Sequence, residues 1–168
     1  FAIVQGKHPV VAETVSTFMP NDCTLTDGAM WLITGPNMAG KSTFLRTVSL
    51  SIVMSNAGLP ICTKEAVYDP IKLITSMRTS DSLTDDESYF FSELKRLQFI
   101  VNAIKTDTYF IILDEILKGT NSTDKAIGSR KFIEKLVASN STGIIATHDL
   151  SLCEAADELD DVKNYYFD

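Results

Sequence analysis

The pattern Gly-x-x-x-x-Gly-Lys-Ser at residues 35–42 is the strongest chemical signal in the sequence. In such a loop, backbone N–H groups surround a phosphate, and Gly40 lets the chain turn sharply beside it. Lys41 would neutralise the β and γ phosphates of a nucleoside triphosphate, and Ser42 would offer a hydroxyl to Mg²⁺. An apolar run at residues 30–34 precedes the loop and helical periodicity follows it, so a helix N-terminus adds its positive dipole end at the same place. The pattern predicts a triphosphate site; the alternative is a structural glycine turn with an incidental lysine.

Two adjacent acids, Asp114 and Glu115, follow a second apolar run at residues 109–113. A carboxylate at the end of a buried strand beside a phosphate loop can hold Mg²⁺, usually through water, and this role falls to Asp114. Glu115 is placed to orient and polarise an attacking water as a general base. The alternative is a solvated pair of acids at a strand end.

His148 follows a third apolar run, at residues 143–147. A histidine at the carboxyl end of a strand lies on the ligand-binding rim of an α/β sheet, where it can hydrogen-bond a γ-phosphate or the attacking water. The alternative is a structural histidine in a turn. Lys41, Glu115 and His148 are therefore the candidate catalytic residues, with Ser42 and Asp114 as candidate metal ligands.

Apolar runs alternate with segments of helical periodicity along most of the chain. This alternation predicts an α/β fold with a mostly parallel sheet and helices on both faces. The predicted strands are 30–34, 71–77, 109–113 and 143–147, with another beginning near 164, and the predicted helices are 41–57, 88–104, 127–140 and 152–159. Short candidate strands at 2–4 and 23–25 would add an antiparallel edge near the N-terminus. No repeat or linker interrupts residues 1–168, so we predict one domain.

The composition excludes several classes of protein. The 168 residues include 22 Asp plus Glu against 15 Lys plus Arg, and the net charge of −7 argues against a surface that grips nucleic acid by itself. No apolar run approaches the roughly 20 residues of a membrane-spanning helix. Cys23, Cys62 and Cys153 are far apart and form no Cys-x-x-Cys pair. We therefore expect reduced thiols, each a small buried hydrophobe, and a cytoplasmic location.

Together, these motifs resemble the ATPase domain of the MutS family, the mismatch-repair proteins of the ATP-binding-cassette (ABC) class, over nearly the whole chain. The phosphate loop is the most specific part, because Pro36-Asn37-Met38 goes well beyond the general pattern. The other similar segments are 6–11 (Gly-Lys-His-Pro-Val-Val), 88–94 (Ser-Tyr-Phe-Phe-Ser-Glu-Leu), 114–124 and 146–148 (Ala-Thr-His). The resemblance implies a P-loop NTPase fold of the ABC type and Mg²⁺-dependent hydrolysis of ATP to ADP and phosphate.

The resemblance also implies roles for individual residues. The nucleotide-binding set is Gly35, Pro36, Asn37, Met38, Ala39, Gly40, Lys41, Ser42 and Thr43, with Phe18 near the adenine. Ser88 and Asp124 would act in trans, on the nucleotide of a partner subunit. The alternatives are a helix N-cap for Ser88, a core residue for Phe18 and a solvated first-turn acid for Asp124.

Four residues depart from the family pattern and indicate a divergent, bacterial-type member. Ala39 stands where the family usually has Gly, which is tolerable if its φ is negative and costly otherwise. Leu117 and Lys118 replace the usual Gly and Arg, and Thr123 replaces a common aromatic residue.

The implied function is that of an ATP-binding and ATP-hydrolysing domain in a MutS-like DNA repair or recombination protein. A homodimer formed through the ATPase face would couple nucleotide state to DNA binding. We expect residues 1–168 to be a fragment whose upstream DNA-binding domains and C-terminal dimerisation tail are absent. Two alternatives stay open: a nucleotide-gated clamp or scaffold with little turnover, and another ABC-class ATPase. Transporters of that class carry Leu-Ser-Gly-Gly-Gln where residues 88–92 read Ser-Tyr-Phe-Phe-Ser.

Overall fold

The computed structural model describes residues 1–77, 86–117 and 122–168, which form eight strands and five helices. The strands are β1 (Ala2–Gly6), β2 (Asn21–Thr24), β3 (Met30–Thr34), β4 (Glu65–Val67), β5 (Lys72–Ser76), β6 (Tyr109–Asp114), β7 (Thr142–Ala146) and β8 (Val162–Tyr166). The helices are α1 (Val11–Thr14), α2 (Lys41–Asn56), α3 (Asp86–Ala103), α4 (Ser122–Ala138) and α5 (Leu150–Ala156).

Five strands form the central sheet in the order β5-β6-β7-β3-β8, and all four pairings between them are parallel. The apolar runs become strands because each is short and flanked by turn residues. As expected for a central parallel strand, β7 is buried along its whole length. Gly143 is required in β7, since a Cβ there would lie 2.1 Å from the carbonyl oxygen of Ile111. The predicted α/β fold with a mostly parallel sheet is confirmed.

The core is divided between the two faces of this sheet, because successive strand residues point to opposite sides. Ile111 and Leu113 of β6 belong to a cluster with residues of α3, α4 and α5, whereas Phe110 and Ile112 belong to a cluster with residues of α2. Helices therefore cover both faces, as predicted.

The N-terminal strands form an antiparallel sheet of their own in the order β2-β1-β4, rather than an edge of the parallel sheet. Ile3 and Cys23 bring this small sheet into the core cluster on the α2 side. The sequence predicted β1 and β2 but missed β4, whose three residues are all exposed and so show no apolar alternation. It also missed α1, which is a single turn with no buried residue.

The cysteines differ in their surroundings, and one expectation about them was wrong. Cys23 is buried, and burial raises the pKa of its thiol to about 12. Cys153 is half-buried, but Cys62 is exposed and is not a core residue. Among the described residues, none of the helices combines the length and apolar character needed to cross a membrane.

Candidate functional site

The candidate residues meet at one edge of the parallel sheet. The phosphate loop follows β3, Asp114 ends β6, and His148 lies two residues after β7. Because β7 lies between β6 and β3, the carboxyl ends of these three strands are adjacent. This edge is where ligands bind in open α/β sheets.

The phosphate loop has an unusual backbone that the sequence only partly predicted. Gly40 has φ of 94° and precedes α2, and Met38 also has a positive φ, of 67°. Ala39 is not among the residues of positive φ, so its departure from glycine is tolerated. At the start of the loop, a Cβ on Gly35 would lie 2.1 Å from the carbonyl oxygen of Phe167, which follows β8.

Lys41 lies inside the loop and is only 6% exposed. Its Nζ donates to the carbonyl oxygens of Gly35 (2.6 Å) and Pro36 (2.8 Å). Burial lowers the pKa of Lys41, and the negative charge of Asp114 opposes that change. Two carbonyl oxygens thus hold the ammonium group against the start of the phosphate loop.

Ser42 and Asp114 are in direct contact, although 72 positions separate them in the chain. Ser42 Oγ donates to Asp114 Oδ2 at 2.6 Å. A hydroxyl and a carboxylate are the hard oxygen donors that Mg²⁺ prefers, and Mg²⁺ is usually bound by one or two such groups together with substrate phosphates. No group of three or more His, Cys, Asp or Glu side chains suited to a metal occurs in the described ranges. The residues fit a metal held jointly with a phosphate ligand.

Glu115 and His148 form the second contact of the site. Oε1 of Glu115 lies 2.8 Å from Nε2 of His148, and the two side chains are 13% and 39% exposed. The backbone N–H of Glu115 donates to the carbonyl oxygen of Ala146 in β7 (2.9 Å). The structure therefore brings together the two residues that were predicted to act on an attacking water.

An open cleft of about 570 Å³ lies beside the phosphate loop. Phe18 lines one part of it, and Met38, Gly40 and Thr43 line another. Phe18 is half-buried and belongs to neither core cluster, which favours the cleft over the alternative of a core position. A cleft with an aromatic side chain and a phosphate loop suits a ligand with a planar ring and a charged tail.

The two residues predicted to act in trans both lie on helices. Ser88 is within α3, whose range begins at Asp86, so it is not the residue that caps the helix; its side chain is outside the described part. Asp124 is exposed in the first turn of α4. Asp124 is not among the described residues that line the cleft. Lys118 is outside the described residues, and Thr123 is exposed.

Sequence reasoning missed Glu93, a residue of α3. Its Oε1 accepts a hydrogen bond from the backbone N–H of Leu117 at 2.6 Å. Its only sequence signal is membership of the 88–94 segment.

Leu117 stands where the resembled family pattern has glycine, and the backbone conformation at this position explains why glycine is preferred there. Its φ is 56°, in the left-handed region, which costs roughly 1–2 kcal/mol for a residue with a Cβ. The side chain is 5% exposed and packs close to Gly128 of α4, where a Cβ would lie 2.9 Å from Leu117 Cδ1. Burial of an isobutyl group contributes about 1.5–3 kcal/mol, enough to offset the strain.

We expect an inverted order of stability when Leu117 is shortened. Leu117→Ala and Leu117→Gly both lose the buried side chain and should destabilise the fold by about 2–4 kcal/mol. At most buried positions Gly is the worse replacement, but here Gly should be about 1 kcal/mol more stable than Ala because it adopts φ of 56° without strain. Chemical denaturation of both variants measures this difference, and a more stable Ala variant would contradict it.

His8 accepts hydrogen bonds from the backbone at the start of α1. Its Nδ1 accepts from the backbone N–H groups of Val10 (3.3 Å) and Val11 (3.2 Å), at the start of α1. Only a ring whose Nδ1 carries no proton can do this. Burial, and then the charge of Arg46, lower the pKa of His8 below its ordinary value of 6.5.

This lowered pKa predicts a loss of stability in mild acid. The unfolded chain takes up a proton on residue 8 near pH 6.5, whereas the folded chain resists it until a lower pH, so the free energy of unfolding should fall as the pH drops below 6.5. His8→Asn keeps an acceptor but does not titrate, and should show a smaller decrease between pH 7.5 and 5.5. Identical pH profiles for the two proteins would contradict the prediction.

Residues 31–168 match the family described as MutS domain V. The chain belongs to the MutS family. This MutS match begins at Trp31 in β3, so it includes the phosphate loop, the end of β6 and His148.

Three relatives agree with the MutS assignment. The chain is 39% identical over 167 residues to DNA mismatch repair protein MutS 2 of Halobacterium salinarum, covering 96% of this chain and 19% of that protein. It is 36% identical to the DNA mismatch repair proteins MutS of Methanococcoides burtonii, over 171 residues, and of Alkaliphilus metalliredigens, over 169 residues. Those matches cover 98% and 97% of this chain and 19% of each relative. The chain thus spans about a fifth of the length of these curated relatives.

Proposed function

We propose that this MutS-family chain is an ATPase domain of the ABC type, which binds ATP with Mg²⁺ and hydrolyses it to ADP and phosphate. The observation that carries the proposal is the meeting of three strand ends. They place Ser42 Oγ 2.6 Å from Asp114 and Glu115 Oε1 2.8 Å from His148, beside Lys41. Positioning and charge neutralisation are the main requirements of phosphoryl transfer, and these residues supply both.

ATP would lie along the cleft, with its base near Phe18 and its phosphates on the loop. Lys41 would exchange its bonds to the carbonyl oxygens of Gly35 and Pro36 for contacts with phosphate oxygens. Backbone N–H groups of residues 37–43 would donate to the same phosphates. The N-terminus of α2, which begins at Lys41, adds its dipole to this anion site.

Ser42 and Asp114 would hold Mg²⁺, which supplies neutralisation of the charge that develops on the phosphates. Glu115 would take a proton from a water molecule as the water oxygen attacks the γ-phosphorus. The bond from that phosphorus to the bridging oxygen would break in the same step. ADP leaves with the electron pair of the broken bond. His148, in contact with Glu115, would orient the water or the γ-phosphate.

The proposal extends to a homodimer in which Ser88 and Asp124 act on the partner's nucleotide. The position of Asp124 on an exposed first turn of α4 is compatible with that role. Because this segment has a net charge of −7, DNA contacts would come from other parts of the protein. Closure of the dimer on ATP and its release after hydrolysis would then couple nucleotide state to DNA, in mismatch repair or recombination.

Titration calorimetry of the intact protein with ATP and Mg²⁺ tests the proposal, together with steady-state phosphate release. We expect saturable binding, a raised melting temperature and continuous turnover. At an ATP concentration about 100 times Kd, bound nucleotide should stabilise the fold by about 2.7 kcal/mol. Binding without phosphate release would favour the nucleotide-gated clamp, and an absence of both binding and thermal stabilisation would refute the proposal.

A further inference from the structure

The segment after β6, residues 115–117, has a backbone conformation that two of its residues do not favour. Glu115 and Leu117 have φ of 59° and 56°, in the left-handed region, and neither is glycine. It is from this backbone that the Glu115 carboxylate reaches His148 at 2.8 Å. The direction of the Glu115 side chain therefore depends on the contacts that hold the segment.

Two different elements hold the backbone N–H groups of this segment. The N–H of Glu115 donates to Ala146 of β7 (2.9 Å), which ties the start of the segment to the sheet. The N–H of Leu117 donates to Oε1 of Glu93 (2.6 Å), which ties its far end to α3. The second bond is made by a side chain, so a substitution can remove it without altering the sheet.

Glu93 is presented from a fixed position. Arg96, three residues further along α3, donates from Nη2 to the carbonyl oxygen of Thr75 in β5 (2.6 Å), which anchors the helix to the edge of the parallel sheet. Glu93 and Arg96 line a small cavity of about 180 Å³ together with Asp114 and Glu115. The helix thus carries a carboxylate to the immediate neighbourhood of the two acids at the end of β6.

We propose that Glu93 is a positioning residue. By accepting from the N–H of Leu117, it holds the segment after β6 in its left-handed conformation and keeps Glu115 directed at His148. The kinetic consequence rests on the proposed ATPase function, whereas the structural consequence does not. Glu93 thereby links this segment to α3, the helix that contains Ser88.

Two substitutions of Glu93 separate this role from a role for its charge. Glu93→Gln keeps an oxygen that accepts from Leu117, and Glu93→Ala does not. In the intact protein, we expect Glu93→Ala to lower kcat about 10- to 100-fold with little change in KM, because the misdirected Glu115 affects the reaction and not ATP binding. Glu93→Gln should keep kcat near the wild-type value, and Glu93→Asp, with a shorter reach, should give an intermediate loss. Glu134→Ala, an exposed carboxylate variant on α4, is the matched control.

Hydrogen exchange at the Leu117 amide gives a readout that needs no turnover. We expect at least about tenfold faster exchange in Glu93→Ala than in the wild type, and wild-type exchange in Glu93→Gln. Equal losses of kcat in the Gln and Ala variants, or unchanged Leu117 exchange in the Ala variant, would overturn the inference. If the exchange difference is present but the wild-type protein releases no phosphate, the proposed function fails and the positioning contact stands.

Discussion

Glu115→Gln is expected to slow ATP hydrolysis by about 10²- to 10⁴-fold while leaving ATP affinity nearly unchanged. Gln has the shape of Glu and keeps an oxygen that can face His148, but it cannot take a proton from water. The contact between Glu115 and His148 lies at the ends of β6 and β7, and Lys41, which would hold the phosphates, is on α2. Binding and turnover should therefore separate in this variant.

Phosphate release and ATP titration of the same preparation measure the two quantities. Glu134→Gln, which alters an exposed carboxylate on α4, serves as the matched control and should behave as the wild type. Turnover of Glu115→Gln at the wild-type rate would eliminate Glu115 as the general base.

Lys41→Ala should have the opposite signature, with ATP affinity reduced about 100-fold or more. A charge-assisted hydrogen bond contributes about 1.5–3 kcal/mol, and every 1.4 kcal/mol corresponds to a factor of ten in affinity. In addition, Lys41 donates to the carbonyl oxygens of Gly35 and Pro36, so its removal loosens the loop before any ligand binds. Both effects weaken the binding of ATP.

Calorimetric titration with ATP and Mg²⁺ checks this result, and Lys105→Ala, which changes an exposed lysine near the end of α3, controls for the loss of positive charge. Circular dichroism should show that Lys41→Ala remains folded. Wild-type affinity in this variant would mean that the loop does not bind phosphate through Lys41.

The positions of the strands, and hence of most candidate residues, could be predicted from the sequence. Short apolar runs that end in Gly-Pro, Asp-Glu or Thr-His identify β3, β6 and β7, and the catalytic candidates follow directly from where these runs stop. The segments without such a pattern were missed. The exposed strand β4 and the single turn of α1 have too few buried residues to leave a periodic signal.

The contacts that refine the site could not be predicted, because they join distant parts of the chain. Glu93 and Leu117 are 24 residues apart, and a hydrogen bond from a side chain to a backbone N–H leaves no spacing rule in the sequence. The left-handed conformation of Leu117 contradicts its local preference and depends on burial near Gly128. At Leu117, tertiary packing therefore overrides the local backbone preference of the residue.

The contact between Gly35 and the segment after β8 has a consequence for how the site can vary. The Phe167 carbonyl oxygen occupies the space that any side chain at position 35 would need, and the Phe167 N–H donates to Thr34 at 2.8 Å. The rings of Phe44 and Phe167 also pack against each other, with 5.2 Å between their centroids. The start of the phosphate loop and the end of β8 are therefore packed as one unit, so that a substitution in either would have to be matched by a substitution in the other.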